Sequence, residues 1–151
     1  MRIWRASPDE APQVAALLAG FRDHLGRSWP GEASIRASVE RLIAREDVEY
    51  LLGARDDGPA QGVVQVRYRW SVWWEAEDCW LEDLFVRDEA RGAGLGRALT
   101  EAVLARAAER GCRRVELDAN SENPPALALY RSLGFETGKD GGQDLLMRRL
   151  L

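Results

Sequence analysis

The sequence predicts an α/β fold in which a mixed sheet carries helices on both faces. Three observations predict it. Strand-like and helix-like runs succeed one another along the chain. Two apolar runs, 48–54 and 60–74, flank Asp56-Asp57-Gly58-Pro59 and so read as antiparallel strands around a turn. A third run, Leu81 to Val86, leads through glycines straight into a helical pattern. At 151 residues and 46% hydrophobic, the chain suits one domain, 1–151, with a sizeable core.

In order, Arg2 to Arg5 is a short first strand. Ser7 then offers an N-cap, Pro8 suits a first helical position and Glu10 completes a capping box. Val14, Leu17, Leu18, Phe21 and Leu25 keep helical spacing, so the first helix runs to about His24, the only histidine, read as solvated. Gly26 to Gly31 is a loop containing Trp29, and Ile35, Val39, Leu42 and Ile43 mark a second helix. In the 60–74 strand, alternation places Val64, Val66, Tyr68, Trp70, Val72 and Trp74 on one face. Glu75 to Asp78 reads as a solvated acidic turn into the strand Leu81 to Val86. Past Gly94, Leu95, Ala98, Leu99, Ala102 and Val103 form one stripe of a helix ending near Arg110. A strand at Arg113 to Asp118 follows, then a helix in which Ala126, Leu129 and Leu133 are spaced for packing. Phe135 to Thr137, the turn Gly138 to Gly142, and Gln143 to Arg149 read as a last hairpin.

Composition excludes several classes. The formal charge of -4 argues against general nucleic-acid binding, which needs a concentrated basic face. No run of about 18 apolar residues is present, so nothing reads as crossing a membrane. MRIWRASPDE lacks the apolar core of a secretory signal, which gives a cytoplasmic expectation. Cys79 and Cys112 have no C-x-x-C spacing and no histidine cluster, so they read as reduced thiols and no metal is expected.

Gly92, Gly94 and Gly96 fall at the start of a helix, where the first amides lack intrahelical partners and attract phosphate. The dinucleotide fingerprint fails, because its last glycine would be Arg97 or Leu99; the P-loop fails at Arg97 and Ala98. What remains, Arg91-Gly92-Ala93-Gly94-Leu95-Gly96, fits [Q/R]-x-x-G-x-[G/A]. That loop resembles the pyrophosphate loop of the GNAT N-acetyltransferase superfamily. With LEDLFV before it and N-x-x-A-x-x-x-Y-x-x-x-G-F after it, from Asn123 through Tyr130 to Phe135, the chain is most similar to the diamine branch.

The resemblance implies a GNAT fold of about seven strands in a mixed sheet with about four helices. It also implies acetyl-CoA as co-substrate, with no metal. The pyrophosphate would lie on Arg91 to Gly96 with Arg97 as a further counter-charge, and the pantetheine amides would pair with backbone at Leu84, Phe85 and Val86. Asn123 would touch the pantetheine; before Pro124 and Pro125 it is equally a helix N-cap. The loop of Trp29 would wall the acceptor site.

An alkylammonium must lose a proton before its nitrogen attacks a thioester, which calls for a base or a water relayed through a carboxylate. By the resemblance Glu82 takes that part, with Asp83 in reserve on the acceptor side. Consecutive strand residues point to opposite faces, so the two are not expected to form a dyad, and a structural ion pair is the alternative for either. Tyr130 reads from its spacing as packing, whereas the resemblance makes it the proton donor to the departing thiolate. No basic residue stands between Arg69 and Arg87, so carboxylates among Trp70, Trp73, Trp74 and Trp80 suit a cationic amine. The expected function is therefore acetyl transfer from acetyl-CoA to a primary amine of a small cationic molecule, by direct attack in a ternary complex. A protein N-terminus or lysine as acceptor, and a non-catalytic acyl-CoA-binding domain, are the alternatives. The six tryptophans, more than one small core needs, add the expectation of a homodimer.

Overall fold

A computed structural model describes residues 1–138 and 141–151. It groups them into two compact units, Met1–Leu117 and Asp118–Leu151. The first holds β1 (Arg2–Arg5), α1 (Ala11–His24), α2 (Glu32–Ile43), β2 (Val48–Ala54), β3 (Gly62–Ser71), β4 (Ala76–Val86), α3 (Leu95–Glu109) and β5 (Val115–Leu117); the second holds α4 (Pro124–Ser132). The strands lie in the order β1-β2-β3-β4-β5, antiparallel except that β5 runs parallel to β4. A mixed sheet is thus present.

Local chemistry starts α1 as its sequence suggests. Glu10 accepts the Ser7 amide at 2.9 Å and the Trp4 indole N–H at 2.9 Å, tying β1 to the 3-10 turn Pro8–Glu10 that leads into the helix. The sheet divides the core in two. On one face Val48, Tyr50, Leu52, Val63 and Phe85 pack with Val14, Leu17, Ile35 and Val39 of α1 and α2. On the other, Leu51, Val64, Val66, Tyr68 and Leu81 pack with Leu95, Leu99 and Val103 of α3. Each such side chain, fully buried, contributes about 1.5–3 kcal/mol. Glycines in β2 and β3 let α3 come close: a Cβ on Gly53 would meet Leu95 Cδ1 at 2.9 Å, and one on Gly62 would meet Leu99 Cδ1 at 2.9 Å. The N-terminal half of α3 is therefore seated by the sheet itself.

Several boundaries differ from the sequence reading. The sheet has five strands, because neither Phe135 to Thr137 nor the described part of the last hairpin forms a ladder; residues 139 and 140 of its turn lie outside the described residues. Leu145, Leu146 and Met147 are consecutive and exposed, so they offer no alternating face to bury. Ser71 pairs with Ala76, which closes the β3–β4 hairpin over residues 72–75. Val72 and Trp74 therefore leave the strand face, and Glu77 and Asp78 belong to β4 rather than to a turn. The final parallel strand is also shorter than Arg113 to Asp118. Cys79 and Cys112 are both free, and burial pushes the Cys79 thiol up to about 12.

Candidate active site

The site is built on β4. Along β3, Gln65 pairs with Asp83 whereas Val66 pairs with Leu81, so Glu82 is an extra residue in the ladder, a β-bulge. The extra residue cancels one step of alternation. Leu81 and Leu84 pack on the α3 side and Phe85 on the α1 side, while Asp83 stands opposite Gln65 and Glu82 reaches the side chains of Gln65 and Arg67. Glu82 and Asp83 thus share a face, correcting the expectation that they point apart. The Gln65 amide donates to Glu82 Oε2 at 2.7 Å, and the Arg67 guanidinium donates to the same oxygen. Both bonds fall on Oε2. Gln65 and Arg67 were missed in the sequence, although two polar residues at i and i+2 among Val63, Val64 and Val66 signal a polar partner on one face.

Beyond the bulge, β4 keeps its β3 partner through Val86 but pairs with β5 only from Cys79 to Leu81. Leu84, Phe85 and Val86 therefore have no β5 partner among the described residues, as a slot for an added extended chain requires. The 3-10 turn Asp88–Ala90 and the glycine loop follow. Gly92 and Gly94 take left-handed φ of 75° and 86°, which costs L-residues energy, and Gly94 is the N-cap of the 15-residue α3. A Cβ on either would meet no heavy atom within 4 Å, so the loop backbone faces open space. The first-turn amides of Leu95, Gly96 and Arg97 have no intrahelical acceptor, which fits a pyrophosphate. Arg91 stacks near Phe85, at 5.8 Å, and donates to the Val86 carbonyl at 2.9 Å while pairing with Asp88 at 2.8 Å. Arg97 pairs with Glu101 one turn on.

Glu75 is exposed in the turn, as the sequence suggested, whereas Glu77 and Asp78 are not part of a solvated turn. Asp78 is 2% exposed and accepts from Arg114 at 2.9 Å; Glu77 accepts from Arg110 at 3.1 Å. Guanidiniums some 30 residues away neutralise this stretch, so it does not act as a bare anionic patch. Trp70, Trp73 and Trp29 are exposed, and no ring contact joins Trp29 or Trp70 to Glu82 among the described residues. A cleft of about 350 Å³ opens between Ala15, Ala19 and Gly20 of α1, Arg36 of α2 and Arg87 after β4.

In the second unit, Asn123 Oδ1 accepts the Ala126 amide at 3.3 Å, so the capping role is present; its Nδ2 donors are not used by that bond. Tyr130 is half-buried, edge-on to Phe135 with ring centroids 5.8 Å apart. Burial first, then the charge of Asp118, raises its hydroxyl above the ordinary phenol value. The hydroxyl therefore stays protonated through the neutral range. No cluster of metal-ligating side chains occurs among the described residues.

The sequence pattern that defines the Acetyltransferase (GNAT) family matches residues 18–135. An aminoglycoside N(6')-acetyltransferase type 1 of Stenotrophomonas maltophilia is 30% identical over 137 residues, covering 89% of this chain and 85% of that protein. A mycothiol acetyltransferase of Kocuria rhizophila is 49% identical over 140 residues, which cover 87% of this chain; the chain spans 39% of that relative's length. A solved structure of an Arthrobacter sp. FB24 protein described as an acetyltransferase superposes with a TM-score of 0.89 at 30% identity, covering all of this chain and 96% of the other.

Proposed function

The chain belongs to the GNAT family of acetyltransferases and is an N-acetyltransferase, and from that premise we propose that it moves acetyl from acetyl-CoA to a primary amine of a small cationic molecule. The observation that carries the proposal is the continuity of β4, glycine loop and α3: one stretch joins two carboxylates at a bulge to the unpaired amides of a long helix. Between them lies the edge at Leu84 to Val86, which β5 does not pair, of the right kind for the pantetheine amides. In this reading the loop from Arg91 to Arg97 holds the pyrophosphate, and Asn123 offers a side-chain amide to the donor. A small amine acceptor is supported by relatives named for an aminoglycoside and for mycothiol.

The chemistry assigned to the chain is direct transfer. Glu82 takes the ammonium proton, itself or through a water, while Asp83 on the same face holds the cation. The amine nitrogen then bonds to the acyl carbon, the carbon–sulfur bond breaks as Tyr130 gives its proton to the sulfur, and the second nitrogen proton leaves to solvent, which reprotonates the Tyr130 oxygen. Residues 1–151 act as one acetyltransferase domain, which the family match across the boundary at Leu117 supports. We assign the exposed Trp70, Val72 and Trp73 to a homodimer contact and place the chain in the cytoplasm. Release of free thiol from acetyl-CoA across a panel of diamines, aminoglycosides and peptides tests the reading. Turnover confined to peptides would move the assignment to a protein acetyltransferase, and binding without turnover to a non-catalytic domain.

A further inference from the structure

Trp80 stands two residues before Glu82 in β4, between Cys79 and Leu81, whose side chains pack on the α3 side. It therefore points to the opposite face, where Glu82 meets Gln65 and Arg67, about 7 Å along the strand. The register places Arg67 of β3 on one side of Trp80 and Glu116 of β5 on the other. Glu116 lies between Val115 and Leu117, which pack against the α3 cluster, so it points the same way as Trp80. Trp70 follows the alternation of Val66 and Tyr68 and lies on the α3 side. Trp80, rather than Trp70, thus shares a face with Glu82.

An ion pair closes the row behind this ring. Arg69 reaches from β3 past Trp80, its guanidinium 5.7 Å from the ring, and donates to Glu116 on β5 at 3.2 Å. Arg114 pairs with the same Glu116 oxygen at 3.3 Å and donates to the buried Asp78 at 2.9 Å. The two ends of the face therefore differ in charge. Glu82 and Asp83 outnumber Arg67 at one end, which attracts an ammonium. At the other, Arg69 and Arg114 match Glu116 and Asp78, so no net negative charge draws a second ammonium. Arg69 is 61% exposed and carries a fork of N–H donors, one of which goes to Glu116. Between the ends, the half-buried indole of Trp80 offers an apolar surface to a short carbon chain.

Building on the acetyl-transfer reading, we propose that Trp80 and the Arg69–Glu116 pair form the far wall of the acceptor site, and that Arg69 selects primary amines whose other end carries an oxygen acceptor, such as a hydroxyl, over diamines. The acceptor lies with its ammonium at Glu82, its carbon chain on the indole and its oxygen on the Arg69 guanidinium. A diamine of the same length brings its second ammonium against that guanidinium, where like charges repel.

Cadaverine and aminopentanol share one carbon chain and differ only in the far group. Steady-state kinetics with acetyl-CoA should give the wild type a kcat/KM about 5-fold or more higher for aminopentanol. Arg69→Glu, a change at an exposed side chain, should reverse the preference and move the ratio of the two values about 10-fold or more toward cadaverine, with Arg69→Gln between the two. A wild type that prefers cadaverine, or a ratio in Arg69→Glu within about 2-fold of the wild-type ratio, overturns the proposal. Turnover of other amines but of neither probe overturns it as well. Wild-type protein that acetylates no amine or peptide defeats the acetyl-transfer reading itself, and the role of Arg69 falls with it.

Discussion

Gln65 stands opposite Asp83 in the β3–β4 ladder and yet gives its side-chain amide to Glu82, at 2.7 Å. Only a bulge permits this, since in an unbroken strand Glu82 would point away from its neighbour's partner. The bulge thus does two things at once: it gathers two carboxylates on one face, and it falls just beyond the last residue that β5 pairs.

If Glu82 promotes loss of the ammonium proton, Glu82→Gln should cost on the order of 100-fold in turnover at low pH and progressively less as the free amine becomes abundant. The check is a pH–rate profile with a cognate amine, together with a thermal melt. A loss of the same size at every pH would assign Glu82 to holding Arg67 and Gln65 rather than to proton transfer.

The glycine loop makes a second prediction. Gly94 has φ of 86° as the N-cap of α3, and its Cβ direction is open, so a larger residue suffers from backbone strain and from blocking the phosphate rather than from a clash within the fold. Gly94→Val should lower stability by about 1–3 kcal/mol and weaken CoA binding at least 10-fold. Gly94→Asn, which tolerates this conformation better, should restore stability without restoring affinity. Calorimetric titration of CoA into both folded variants decides it; unchanged affinity in Gly94→Val would remove the pyrophosphate from this loop.

The parts legible in the sequence were those whose cause is local. A period of 3.6, a capping box at Ser7 and Glu10, a turn at Asp56 to Pro59 and glycines before Leu95 each act within a few residues, and α1, α2, β2, β3 and α3 appear accordingly. What was not legible is set by partners far along the chain. Glu77 and Asp78 look like turn residues until Arg110 and Arg114 neutralise them, which is how β4 comes to start at Ala76. The bulge leaves no mark on the apolar run Leu81 to Val86, because it is defined by the register of β3. The last hairpin failed for a similar reason: apolar residues suggested strands, but a strand exists only where a ladder accepts it.

A third prediction concerns stability. Glu49 in β2 is 2% exposed and accepts from Arg106 at 2.7 and 3.2 Å and from the Tyr68 hydroxyl at 3.2 Å. Burial alone would raise its carboxyl, but the Arg106 bond and charge, with Arg5 and Tyr68, outweigh burial and hold it below the ordinary value of 4.5. A depressed folded value means stabilisation that is present above about pH 4.5 and is lost as pH falls through the folded value. Arg106→Met, which leaves the buried anion only Arg5 at 3.7 Å and the Tyr68 hydroxyl, should cost about 3–5 kcal/mol at pH 7 and relatively less as acid protonates Glu49. Glu49→Gln leaves the partly exposed Arg106 still paired with Glu109 and should cost about 1–2 kcal/mol with a flatter acid limb. Urea unfolding at pH 7 and pH 4 separates them, and equal losses for the two variants at pH 7 would count against the pairing.

The last prediction concerns Tyr130. Its ring is fixed by an edge contact with Phe135, so Tyr130→Phe should leave that packing in place and remove only the hydroxyl. Burial and Asp118 keep the phenol protonated through the neutral range, which suits a donor and disqualifies it as a base. A thiolate leaving a thioester is more basic than the thioester sulfur was, so a bond from this hydroxyl strengthens as the carbon–sulfur bond breaks, and its effect falls on the transition state more than on the bound donor. Turnover should accordingly drop on the order of 100-fold with CoA affinity and melting temperature nearly unchanged, and the deficit should be largest for acyl donors whose thiol leaving group is most basic. Single-turnover rates with a series of acyl thioesters measure this directly. A loss under about 10-fold, independent of the leaving group, would return Tyr130 to packing and leave the alignment of amine and thioester as the source of the rate.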